Sequence, residues 1–143
     1  KRQATDEFLR IGGKDVEGTL FPTGPSVVAK ELPANHPSKK VALDFVTAYE
    51  NKYKVDSVTQ FAGDAWGAYL LLDDATGRAL KTGAKPGTPA FRVALREALE
   101  NTRELVIPNG VMNMNAKDHV GFDQRSRVMG TIRNGKFSYA GDR

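Results

Sequence analysis

The sequence contains no cysteine and only two histidines among its 143 residues. Without thiols there can be no disulfide, thiolate nucleophile or cysteine zinc site, and such a chain suits either a cytoplasm or a periplasm. His36 falls in a proline-rich loop and His119 in "KDHVG", neither with a second histidine at metal-ligand spacing. Both read as structural or surface residues. Asp73-Asp74 reads as a helix flank rather than a metal pair. Neither the G-x-G-x-x-G nor the P-loop pattern occurs, and Gly12-Gly13-Lys14 is too short to cradle phosphates. Ser26, Ser38, Ser57, Ser126 and Ser138 all lie outside a G-x-S-x-G context. The expectation is a chain with no cofactor, no metal and no nucleophile–base pair, hence not an enzyme.

Long hydrophobic runs are also missing. The longest apolar stretch, Ala68 to Leu72, is far short of a membrane span. The first residues, "KRQATDE", carry no apolar segment, so no signal peptide is read within them. Net charge is only +4, with basic residues scattered apart from Lys39-Lys40 and a loose Arg125/Arg127/Arg133 group. A nucleic-acid partner would want a basic and aromatic stripe on one face, and none is seen. What is present is ordinary globular composition, 40% hydrophobic and 27% charged, enough for one modest domain.

Thr5 to Ile11 reads as the end of a helix, stopped by Gly12-Gly13. Val16 to Phe21 reads as a short strand closed by Pro22-Thr23-Gly24-Pro25. Residues 22–38, with four prolines, read as a loop with one helical turn near Val27 to Lys30. Ser38 is placed to cap a helix from Lys39 to about Tyr53, with Val41, Phe45, Ala48, Tyr49 and Lys52 on one face. "DSVTQFA" reads as a strand, followed by a helix from Asp64 to about Leu80 with Asp64 as its cap. Thr88-Pro89 opens a further helix, in which Phe91, Leu95, Ala98, Leu99 and Thr102 share a face. Near the end, "GTIRNGKFSY" is a hairpin signature, with Asn134-Gly135 in the turn.

Strands alternating with helices predict an α/β fold, a mostly parallel sheet flanked by helices. The strands at 16–21 and 57–61 would then run the same way. Their carboxyl ends, around Thr23 and around Phe61-Ala62-Gly63-Asp64, would share one sheet edge, where open α/β sheets bind ligands. By pattern alone Phe61 suits a core position as well as a ligand contact, Gly63 permits a turn, and Trp66 and Tyr69 suit packing.

"VEGTLFPTGP", "ALDFVTAYENKY", "FAGDAWGAYLLLDDA", "KPGTPAFRVALREALE" and "DHVGFDQRSRVMGTIRNGKFSY" occur in an order and spacing that resembles the C-terminal part of a type I periplasmic solute-binding protein. The similarity is to the branched-chain amino acid (Leu/Ile/Val) receptor family that feeds ABC importers, and it covers essentially the whole chain. It implies an incomplete part of a two-lobed fold in which hinge closure traps a ligand. Residues 1–59 and 122–143 resemble segments of the C-terminal lobe, and 60–121 resembles the return segment of the N-terminal lobe. An aromatic matching Phe61 would pack on the ligand, and Thr23, Ala62, Gly63 and Asp64 would lie at the binding edge. Many members carry Tyr-Asp-Ala where this chain has Trp66-Gly67-Ala68, so an acid is missing there. The resemblance implies a periplasmic protein, a small-molecule ligand (an amino acid or an aromatic acid) and ABC permease subunits as partners. Apolar faces such as Leu70 to Leu72 would lack cover, which an oligomeric or swapped assembly would remedy. A ligand-sensing domain of a signalling receptor and a small α/β enzyme are the alternative readings.

Overall fold

The computed structural model describes residues 5–141. Lys1 to Ala4, which begin the stretch read as lacking an apolar segment, and Asp142-Arg143, which end the last lobe segment, lie outside the described residues. Helix α1 (Asp6–Gly12) is capped by the Thr5 hydroxyl, which accepts from Phe8 N, and ends where Gly13 adopts φ 50°. The strand expected at 16–21 forms later, as β1 (Leu20–Thr23), because a 3-10 turn (Gly13–Val16) occupies its start. Strands β4 (Val128–Arg133) and β5 (Lys136–Tyr139) form the expected hairpin, with Asn134 and Gly135 both at positive φ in the turn. Leu20 pairs with Thr131 and Thr23 with Val128, which gives a three-stranded antiparallel sheet in the order β1-β4-β5. Phe21 and Ile132 are fully buried beneath it, and the Phe21 and Phe137 rings meet edge to face at 5.6 Å.

The mixed helix and strand class stands, yet the sheets are small and every strand pairing among the described residues is antiparallel. The parallel partner expected at 57–61 is not a strand. Thr59 turns extended there and its hydroxyl accepts from Ala62 N at 3.3 Å, which starts helix α3 (Gln60–Leu80) at Gln60. Asp64 therefore sits in the second turn of α3 and is not its cap. Helix α2 (Lys39–Tyr53) has the expected bounds, but Ser38 does not cap it. Its hydroxyl instead donates to Gly110 O at 3.1 Å in the interior. The proline-rich loop is more ordered than expected, with a 3-10 segment over Pro25–Glu31.

Thr88 caps α4 (Pro89–Glu100), with Pro89 in the first turn as expected. Ala75 and Ala79 of α3 meet Ala98 of α4, and small residues at the crossing let the two helices approach closely. The hairpin β2 (Leu105–Ile107) and β3 (Gly110–Met112) then lies against α3 through Ile107, Met112, Leu70 and Leu71. The buried clusters fall into two groups along the chain. One joins residues of the 3-10 segment, α2, Val58 and the β1-β4-β5 sheet; the other joins α3, α4 and β2-β3.

Candidate functional site

Where the two groups meet, the chain approaches itself at glycines. A Cβ on Gly63 would lie 2.4 Å from Ser26 Oγ and 2.8 Å from Asn109 Nδ2, and one on Gly24 would lie 2.5 Å from Asn109 Oδ1. Only hydrogen in place of a side chain lets the end of β1, the start of α3 and the β2-β3 turn converge. Asn109, 2% exposed, fills the junction. Its Oδ1 accepts from Ser26 N at 3.0 Å, while Nδ2 donates to Gln60 O at 3.2 Å and to Asp64 Oδ1 at 2.7 Å. Gly24 N donates to Gln60 Oε1 at 3.3 Å, so a second side chain crosses the same boundary.

Beside this junction opens a cleft of about 500 Å³, within the usual size of a small-molecule site. Gln60, Asp64 and Asn109 line its polar wall, Leu71, Ile107, Met112 and Phe122 its apolar wall, and Arg127 stands at its edge. A carboxylate, a guanidinium and two amides facing one apolar hollow can orient a small polar-headed ligand; no nucleophile with an adjacent base is among them. A second hollow of about 530 Å³ lies between α2 and α3, walled by Phe45, Tyr49, Tyr53 and Trp66 with Ala62 and Ala65 between them.

The five residues expected at the binding edge are distributed as follows. Gly63 and Asp64 meet at the Asn109 junction, and Asp64 lines the first cleft. Ala62 lines the second hollow. Thr23 is buried in the sheet, and its hydroxyl, like that of Ser26, has no hydrogen-bond partner. Phe61 is 59% exposed and lines neither hollow. Pattern reading passed over Gln60, Asn109 and Arg127. For Asn109 the signal "PNG" was visible but is that of a turn, and nothing local tells that its amide is buried.

The rim of the cleft is pinned electrostatically. Arg125 donates to both carboxylate oxygens of Glu104, at 2.7 and 3.0 Å, and to Asp123 at 2.6 Å. These hydrogen bonds, with one from Asn113, hold the Glu104 carboxyl down from its usual 4.5 to about 2. The Asp123 carboxyl is lowered by the same guanidinium, whose own proton is held more firmly in return. The charges tie the residue before β2 to the segment 122–127 that carries Phe122 and Arg127.

No family model matches the chain, and no curated protein does. Solved structures do. An extracellular ligand-binding receptor from Rhodopseudomonas palustris superposes with a TM-score of 0.88 at 38% identity, over 96% of this chain and 38% of that one. Another from Rhodopseudomonas palustris HaA2 gives 0.82 at 40% identity, over 95% of this chain and 37% of that one. A leucine-binding protein from Thermotoga maritima gives 0.66 at 25% identity, over 96% of this chain and 34% of that one. The chain thus spans well under half the length of the solved receptors it matches.

Proposed function

We propose that this chain, which carries part of the type I periplasmic binding protein fold, is the ligand-lining portion of an extracytoplasmic solute receptor serving an ABC importer. The supporting observation is the superposition at 0.88 over nearly the whole chain onto a ligand-binding receptor more than twice as long. In this reading the two groups of buried clusters belong to two lobes, split near residues 59 and 121, and the cleft beside Asn109 opens between them. The ligand is a small carboxylate-bearing molecule, a branched-chain or other apolar amino acid. Its side chain would lie against Ile107, Met112 and Phe122, and its head group against Asp64, Gln60 and Arg127. Closure of the lobes on it would present a changed surface to a membrane permease. Phe61, Ala62, Gly63, Asp64 and Thr23 remain the residues proposed at the binding edge, with Phe61 reaching ligand only once the remaining lobe is in place. Binding and release, rather than bond-making, would be the chemistry.

One observation favours a second ligand class. A Cβ on Gly67 would stand 2.7 Å from Ile107 Cδ1, so an acid there, where the resembled family often carries one, would have to displace the Ile107 side chain. A site short of that acid suits aromatic carboxylates, which need a carboxylate clamp but no ammonium partner. Thermal-shift screening of the protein expressed from its complete gene, against leucine, isoleucine, valine and benzoate, tests both. A ligand at 100 times its dissociation constant stabilises by about 2.7 kcal/mol, which is easily seen. A shift by one class assigns the ligand; no shift by any of the four removes the receptor reading.

A further inference from the structure

A buried primary amide that makes three hydrogen bonds to two separate segments, the backbone at Ser26 and the start of α3, does more than fill space. Asn109 accepts from Ser26 N on one side of the junction and donates to Gln60 O and Asp64 Oδ1 on the other. Ser38 Oγ reaches Gly110 O, next to Asn109, at 3.1 Å, and Gly24 N reaches Gln60 Oε1 at 3.3 Å. Three hydrogen bonds therefore cross from the segment at 24–38 to that at 60–110, all at buried or part-buried positions. Asn109, Gln60 and Asp64 also line the cleft, so the groups that would meet a ligand are those that hold the seam.

We propose that Asn109 is the positioning residue that couples the cleft to the seam. By fixing the Asp64 carboxylate and the first turn of α3 against the backbone at Ser26, it sets the angle between the two halves. A ligand drawing on Asp64 or Gln60 then changes the strength of the crossing bonds. This rests on the two-lobed reading for its consequence, but the coupling itself is a property of the chain. The glycines enforce it, since a side chain at Gly24 or Gly63 would displace the amide.

The test is native-state hydrogen exchange at the Ser26 and Gly24 amides in the full-length protein, comparing wild type with Asn109→Asp. The variant is isosteric but sets an oxygen against Gln60 O and Asp64. The variant keeps the oxygen that accepts from Ser26 N but loses both donations to α3, so through the coupling exchange at Ser26 is expected to quicken about tenfold or more. Gly24, whose own partner is Gln60, should quicken with it, whereas amides of the β4-β5 hairpin should not. Unchanged exchange at Gly24 would reduce Asn109 to a local contact, and uniform quickening everywhere would mean general loss of stability; either overturns the proposal. Should Asn109→Asp not fold, Asp64→Ala removes a single bond from the exposed side and is expected to quicken Ser26 by a smaller factor, with no change again counting against coupling. Thermal shift of the same samples with leucine and with benzoate separates the two ideas. No shift in wild type defeats the receptor reading while the exchange data still judge the seam.

Discussion

Helices α2 and α3 bury themselves in opposite ways. α2 turns Ala42, Phe45 and Val46 inward, where the 3-10 segment and Val58 cover Phe45 and Val46, and leaves only Tyr53 at its end as a large exposed aromatic. α3 turns Gly63, Gly67, Ala75 and Ala79 inward and leaves Phe61, Trp66, Tyr69, Leu72 and Leu80 at 42–59% exposure. The small side of α3 serves close approach, with Ser26 and Asn109 against Gly63, Ile107 against Gly67 and Ala98 near Ala75 and Ala79. On its large side, among the described residues, only Trp66 reaches across to α2, stacking on Phe45 at 6.0 Å, while Phe61, Leu72 and Leu80 remain largely exposed. Covering a large apolar side chain is worth about 1.5–3 kcal/mol, so a helix that shows several of them forgoes a few. The difference teaches that α2 has its partner here, while α3 is shaped for one more neighbour.

The strongest way to break the comparison is to truncate both helices. Phe45→Ala, 6% exposed, should cost about 3–5 kcal/mol in urea unfolding. Leu72→Ala should cost less than about 1 kcal/mol in this chain. A large loss for Leu72→Ala would show that α3's outer face is already engaged. Next come two of the three glycines of α3. Gly67→Ala pushes a methyl to 2.7 Å from Ile107 Cδ1 and should destabilise by about 1–3 kcal/mol. Gly77→Ala meets nothing within 4 Å and should stabilise by up to about 1 kcal/mol, as read from the melting temperature. Thr59→Ala removes the oxygen that accepts from Ala62 N and should cost about 1 kcal/mol, showing as faster amide exchange at Ala62. The smallest effect is at the rim. Because the folded Glu104 carboxyl titrates at about 2 instead of 4.5, its tie to Arg125 contributes above pH 4.5 and is lost as pH falls toward 2. A carboxyl NMR titration should place the midpoint near 2 and return it toward 4.5 in Arg125→Ala.

The parts legible in sequence were those with local causes. Thr88-Pro89 opens α4, Asn134-Gly135 turns the hairpin, and the spacing of Val41, Phe45 and Tyr49 marks α2, because a cap, a positive φ or a 3.6-residue period acts within a few residues. "DSVTQFA" misled because Val58 and Thr59 favour strand locally, while the Thr59 cap and the fit of Gly63 against Ser26 and Asn109 favour helix from Gln60. Gly63 read as a turn former and Gly67 as an ordinary helix position, yet both are contact glycines whose partners lie some forty residues away, Asn109 and Ile107. The candidate site followed the same division. Asp64 was visible as a polar residue at a helix start, whereas its partner Asn109 is joined to it only by the fold.

The antiparallel pairing of β1 with β4 also sets a clock on synthesis. Leu20 must wait for Thr131, and Glu17, whose carboxylate accepts from Asn134 N at 2.6 Å and Gly135 N at 3.2 Å, must wait slightly longer. At about 5–20 residues per second the delay is roughly 5–20 s, during which Phe21 has no sheet above it. Helices α2, α3 and α4 emerge in that interval, so β4 and β5 close the sheet only after these helices have left the ribosome.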